Sequence, residues 1–292
     1  EEYIPKYGKF WVAKAASVKS KLFSPSDIQS IMKKAMVERL KAQYEISWFP
    51  EDGENFPVRV FLMKDEVTVG LDSTGESLHK RGYRKLTAKA PIAENLAAAL
   101  IELTPWNAGR ILVDPFCGSG TIPIEAALIA KNRAPGLNRN FSAQKWSWLD
   151  SALWLEAADE AMDREYHGAY EIWGGDIDPA AVELARHNAE LAGVDDCVRF
   201  EVADAGKFHR DSDYGQLVTN PPYGERLMEK REAEELYRSF GRAWSKLPDG
   251  WQLYLLSSHT EFERAFGCPA QKKRKLYNGM IQCNLFCYNP RR

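Results

Sequence analysis

Two hydrophobic periods divide this chain. Beyond residue 91, apolar positions at helical spacing alternate with short apolar runs of strand length, the order of a doubly wound parallel sheet. Helical stretches at 92–103, 121–131, 179–192, 232–246 and 260–266 separate strand-like runs at 110–114, 170–174, 198–202, 217–219 and 252–257. A hairpin through Asn278-Gly279 closes the series. Ahead of residue 73 the pattern differs. Strand-like segments at 9–17, 44–49, 58–63 and 67–71 surround one helix, whose apolar positions Ile28, Ile31, Met32, Ala35, Met36 and Leu40 follow the cap-rich Ser24-Pro25-Ser26-Asp27. The last two strands form a hairpin across Lys64-Asp65-Glu66.

These periods predict a small α+β module over 1–72, a basic linker over 73–90 and a Rossmann-like α/β domain over 91–292 that ends in an antiparallel hairpin. The linker contains Lys80-Arg81-Gly82-Tyr83-Arg84-Lys85, which reads either as a phosphate contact or as a solvated loop. A chain of 292 residues can bury a sizeable core. Its net charge of −2 provides no global cationic field, so any nucleic-acid surface must be local. Cys117, Cys197, Cys268, Cys283 and Cys287 are odd in number and scattered, which argues against a disulfide framework and for a reducing cytosol. Cys283 and Cys287 have no second Cys/His pair at zinc spacing, so no metal site is expected. No signal peptide or membrane-length apolar run appears, and the chain reads as soluble.

Chemistry concentrates at the ends of the strand-like runs. Asp114-Pro115-Phe116-Cys117-Gly118-Ser119-Gly120-Thr121 joins a strand to a helix, where such folds bind ligands. Gly118 and Gly120 permit close backbone approach, but Pro123 stands where a dinucleotide fingerprint needs its third glycine. That departure disfavours NAD or FAD and leaves a smaller adenosine cofactor. Asp178 before Pro179 reads as a helix cap, which frees Asp176 at the second strand tip to accept from ribose hydroxyls. Asp204 on the third strand could accept from an adenine amino group. Carboxylates at three strand ends repel phosphate and suit a ligand with ribose, adenine and a cationic sulfonium.

The fourth strand runs into Asn220-Pro221-Pro222-Tyr223. Two prolines cannot continue a ladder, so the Asn220 side chain and the Pro221 carbonyl are left as rigid acceptors. They could grip an exocyclic amine while Tyr223 stacks on its ring. The plainer alternatives are a proline turn and a core aromatic. None of the histidines, at positions 79, 167, 187, 209 and 259, has triad-like spacing. Residues 132–167 interleave Arg133, Arg139, Phe141, Lys145, Trp146, Trp148 and Trp154, which fits a base clamp and a satellite core equally well. Gln271-Lys272-Lys273-Arg274-Lys275 is either a phosphate contact or a solvated turn.

With these motifs in order, the chain resembles the class I S-adenosylmethionine-dependent methyltransferases acting on exocyclic amines. It is most similar to the bacterial THUMP-containing 23S rRNA guanine-N2 methyltransferases. The likeness extends through Lys19-Ser20-Lys21-Leu22-Phe23, Arg81-Gly82-Tyr83-Arg84, Ala134-Pro135-Gly136-Leu137, Gly175-Asp176-Ile177-Asp178, Asn220 to Arg226 and Lys275-Leu276-Tyr277-Asn278-Gly279. The resemblance implies a seven-stranded methyltransferase sheet behind a THUMP-like RNA-binding module, trimmed at its front relative to the family's usual ferredoxin-like piece. It implies a cytoplasmic enzyme that holds S-adenosylmethionine with Asp114, Phe116, Gly118, Gly120, Thr121, Asp176, Ile177, Asp204, Ala205 and Asn220. Asn220, Pro221 and Tyr223 would carry catalysis on guanine in rRNA. Three alternatives stay open: a tRNA guanine or adenine amino-methyltransferase, a methyltransferase for adenine in DNA or glutamine in protein, and a non-catalytic RNA-binding scaffold.

Overall fold

The computed structural model describes residues 2–84, 92–223 and 230–289. Lys85, Pro91 and the Gly224-Glu225-Arg226 part of the methyltransferase resemblance lie outside the described residues. Packing divides the chain into two units, Glu1–Leu78 with Asn140–Glu160, and His79–Arg139 with Ala161–Arg292. The expected domain of residues 91–292 is thus interrupted, because 140–160 packs with the first unit.

The first unit is a three-stranded sheet with one helix. Strand β1 (Lys9–Val18) runs parallel to β2 (Asn55–Met63) through the crossover helix α1 (Pro25–Tyr44), and β3 (Glu66–Leu71) returns antiparallel to β2. Ser24 caps α1 by accepting from the Asp27 amide, with Pro25 in the first turn. The β2–β3 turn holds Lys64 and Asp65 at φ 53° and 65°, the hand that matches strand twist. No strand forms at 44–49. Tyr44 ends α1, Glu45 turns left-handed behind it, and Phe49 packs edge-on against Phe10 at 5.2 Å. Aromatic residues that suit a strand serve there as core cover, and tertiary packing overrides local preference.

Trp146 completes this core. It stacks on Phe56 with ring centroids 5.4 Å apart and donates from Nε1 to the Asn55 carbonyl at 2.9 Å. Phe141 stacks on Trp154, and Trp148 meets Tyr3 edge-on. The aromatic insertion is therefore a satellite core of the first unit.

In the second unit a seven-stranded sheet runs in the order β6-β5-β4-β7-β8-β10-β9. Its strands are β4 (Leu112–Asp114), β5 (Ile172–Asp176), β6 (Val198–Val202), β7 (Tyr214–Thr219), β8 (Gly250–Ser257), β9 (Lys272–Asn278) and β10 (Ile281–Tyr288). The first five are mutually parallel, and the closing hairpin is antiparallel. Helices α2 (Glu94–Glu102), α3 (Thr121–Ala130), α5 (Pro179–Ala192), α6 (Lys230–Trp244) and α7 (Phe262–Phe266) cover it, and α4 (Ala152–Asp163) lies in the insertion. Alternate strand residues feed two cores. Leu112, Ile172, Val218, Leu256 and Leu285 pack with Leu100, Ile124 and Val182 on one face, while Leu217, Leu253 and Leu255 pack with Phe240 and Phe262 on the other. Strand order reverses between β4 and β7, the crevice where open α/β sheets bind ligands.

In the basic linker Arg81, Tyr83 and Arg84 turn inward, while Lys80 is exposed. Tyr83 is fully buried and donates to Glu125 Oε1 at 3.0 Å, and Arg81 sits 3.5 Å from Glu125 Oε2. Arg84 pairs with buried Glu94 at 2.8 Å and reaches the Ile92 carbonyl and Thr121 Oγ1. Buried cations need acceptors, and these carboxylates provide them.

Candidate active site

Asp114 ends β4 and is 1% exposed. Its Oδ1 accepts from the Phe116 amide at 3.1 Å, which turns the chain into the glycine loop. The same oxygen accepts from Thr219 Oγ1 at 2.5 Å, which ties that loop to the end of β7. Burial pushes the Asp114 carboxyl up to about 7, against the lowering effect of its two donors. Expected among the cofactor contacts, Asp114 uses Oδ1 to clamp two neighbouring strand ends.

Gly118 and Gly120 hold φ at 52° and 81°, in left-handed backbone. A Cβ on Gly120 would stand 2.9 Å from the Ala185 Cβ and 3.0 Å from the Phe200 ring, so helix α5 and strand β6 forbid one. A Cβ on Gly118 would meet nothing within 4 Å. The peptide of Gly118 therefore borders open space, a cradle in which a ligand can touch bare backbone. Its N–H donates to Asp176 Oδ2 at 2.9 Å, and Asp176 Oδ1 accepts from the Asp178 amide at 3.0 Å. Each Asp176 oxygen keeps a lone pair for a ligand hydroxyl. Asp178 caps α5 by accepting from the Ala180 amide, and Ile177, 71% exposed, presents an apolar face beside Asp176.

Asp204 accepts from the Gly206 amide and stands 3.7 Å from Lys207 Nζ. With Ala205, Pro115, Gly175, Phe208 and Arg210 it lines a cavity of about 190 Å³ beside the tips of β5 and β6. Gly118, Asp176, Ile177 and Asn220 lie outside that cavity lining. Thr121 and Ala205 are buried, with Thr121 Oγ1 accepting from Arg84. Phe116 packs edge-on against Phe240 at 5.1 Å. The expected cofactor residues thus divide into those facing open space and those holding the loop.

The proline corner follows directly on Thr219, beside the glycine loop. Asn220 is half-buried, and its Oδ1 accepts from Tyr223 Oη at 2.5 Å. An amide oxygen has two acceptor sites, so one remains. Tyr237 donates to the Pro222 carbonyl at 2.6 Å, whereas the Pro221 carbonyl accepts from no described residue. Burial raises the Tyr223 hydroxyl well above its ordinary range, so it stays a neutral donor. Asn278 Nδ2, from the end of β9, donates to that same hydroxyl at 3.2 Å. Tyr223 packs partly against the core, as the plainer reading of it allowed.

Sequence reasoning missed Thr219, Tyr237 and Asn278 as parts of this corner. Asn278-Gly279 was legible as a turn and as part of the family likeness but not as a partner of Tyr223, and nothing in a strand-end threonine announces its partner.

Comparisons with known proteins identify the family. Residues 81–286 match the RMKL-like methyltransferase domain and residues 1–72 match the THUMP domain. The chain belongs to the RMKL-like methyltransferase family and carries a THUMP domain ahead of the catalytic fold. YpsC of Bacillus subtilis, described as a candidate RNA methyltransferase, is 46% identical over 289 residues, spanning 98% of this chain and 74% of YpsC. The ribosomal RNA large subunit methyltransferase K/L of Shewanella baltica is 41% identical over 239 residues, 80% of this chain. The aligned part is only 34% of that relative's length. SMU.472, a candidate methyltransferase crystallised with SAH, superposes with a TM-score of 0.89 at 42% identity, covering 100% of this chain and 77% of the other.

Proposed function

We propose that this protein methylates the exocyclic N2 amine of guanine in RNA, with ribosomal RNA as the substrate and S-adenosylmethionine as the methyl donor. The observation that carries the reading is the acceptor pair at the end of β7. Asn220 Oδ1 keeps one free lone pair and the Pro221 carbonyl is unclaimed by described residues, both beside a glycine loop open to solvent at Gly118. The SAH held by SMU.472 and the ribosomal substrate in the name of the K/L relative support donor and substrate class. A ribosomal substrate goes with a cytoplasmic location.

The residues present fit the donor. Gly118 leaves the loop backbone bare, Asp176 retains an acceptor site on each oxygen for ribose hydroxyls, and Ile177 and Asp204 would meet the adenine. When bound, S-adenosylmethionine supplies an electrophilic methyl group on a sulfonium. The protein's task is then positioning. Asn220 Oδ1 and the Pro221 carbonyl each accept one hydrogen of the amine, which biases its nitrogen away from planarity and turns the lone pair outward. The part of the Tyr223 ring not packed against the core would stack on a base taken out of its helix. No base of histidine type is required, since the proton can leave after methylation.

The test is transfer of tritiated methyl groups to undermodified ribosomal RNA, followed by digestion and identification of the labelled nucleoside. N2-methylguanosine is expected. N6-methyladenosine would reassign the base, and label confined to protein or DNA would overturn the RNA assignment. Calorimetric binding of S-adenosylhomocysteine, lost in Asp176→Ala, tests the donor site separately.

A further inference from the structure

Strand β9 is the outermost strand of the catalytic sheet and, among the described residues, pairs only with β10, so its other edge presents backbone groups that no described strand takes up. Lys272, Lys273, Arg274 and Lys275 follow one another along it, all exposed. Edge lysines discourage strand pairing, but an uninterrupted cationic run in a chain of net charge −2 is more than that task needs. Lys273 is tied to Glu263 at 2.5 Å. Lys272, Arg274 and Lys275 meet no carboxylate among the described residues.

Register gives the run a direction. Lys272, Arg274 and Leu276 stand opposite Cys287, Leu285 and Cys283, residues of the core that Tyr223 packs against. Same-face neighbours are about 7 Å apart along a strand, close to the step between phosphates of an extended nucleic-acid chain. The row ends at Asn278, which donates to the Tyr223 hydroxyl. Just past it Met280 is 98% exposed, and Tyr277 lies open with Lys275 Nζ 5.5 Å from its ring.

We propose that the β9 edge, from Lys272 through Arg274 to Asn278, is the track along which a single-stranded segment of the RNA substrate lies. Its phosphates rest on the unpaired cations, and the target base is delivered to the corner of Asn220 and Tyr223. Met280, just beyond the turn, provides an apolar surface for a neighbouring base. The inference rests on the RNA reading above and adds to it a surface within the catalytic unit itself.

The full chain would be titrated with a fluorescent single-stranded RNA oligonucleotide over a salt series, beside the double variant Lys272→Ala/Arg274→Ala. Lys246→Ala, an exposed cation beyond the end of α6, serves as control. The double variant should bind roughly tenfold more weakly at low salt, with a log–log salt slope shallower by about 0.7 for each lost cation. In methyl transfer its KM for RNA should rise while kcat holds, and S-adenosylhomocysteine binding should match the parent, which shows the unit is folded. The track is overturned if the parent binds RNA and the double variant keeps the same slope and KM, or if Lys246→Ala weakens binding equally; the RNA reading survives either result. A parent that binds an acidic peptide and no RNA overturns both.

Discussion

Asp114 is where the glycine loop and the proline corner are joined, and its proton inventory has a measurable sign. With its carboxyl raised to about 7 by burial, the folded protein holds a proton between roughly pH 4 and 7 that the unfolded chain has released. Stability is therefore greatest below the unfolded value and declines as pH rises through that window. Glu125, also pushed up to about 7 chiefly by burial, contributes with the same sign. Each carboxyl adds at most about 1.4 kcal/mol per pH unit to the slope. Calorimetric melting at several pH values should show Tm falling toward neutrality and a shallower fall in Asp114→Asn. Asn220→Ala removes one of two amine acceptors. Its kcat should drop on the order of a hundredfold, by analogy with the loss of one preorganised polar contact to a transition state, a larger loss than any weakening of S-adenosylhomocysteine binding measured by calorimetry.

At the level of elements, the loop between β4 and α3 works because its neighbours leave no room for a side chain at Gly120. Gly120→Ala must displace Ala185 or Phe200 and adopt left-handed backbone, at a cost of about 1–3 kcal/mol, read by urea denaturation and accompanied by weaker S-adenosylhomocysteine binding. Arg84→Ala would strand Glu94, which is buried, and should destabilise by about 3–5 kcal/mol in the same assay. The sheet and the acidic strand tips were legible in the chain because strand, tip residue and following helix are contiguous there. Partners that meet across the fold were not. Thr219 and Asp114 are separated by 105 positions and Asn278 and Tyr223 by 55, and a polar residue near a strand end carries no mark of what it will bond. Arg81 and Arg84 misled for a related reason. A run of charges reads as solvated unless the carboxylates that will bury it are known, and Glu94 and Glu125 belong to helices that begin after it.

For the whole molecule, separate cores in the two units make their stabilities separable. Trp146→Ala removes a stacked ring and the donor to Asn55 from the first unit, at about 3–5 kcal/mol. Hydrogen exchange should then show protection lost across β1 and β2, while S-adenosylhomocysteine binding by the second unit persists. The same tryptophan bears on how such proteins can be taken apart. The THUMP match stops at residue 72, yet the plug over Phe56 is encoded some seventy positions later, between stretches that build the other unit. A polypeptide cut at the family boundary would leave that ring bare and prone to clumping. Transplanting this module onto another enzyme would require carrying residues 140–160 along as a second, stitched-in piece.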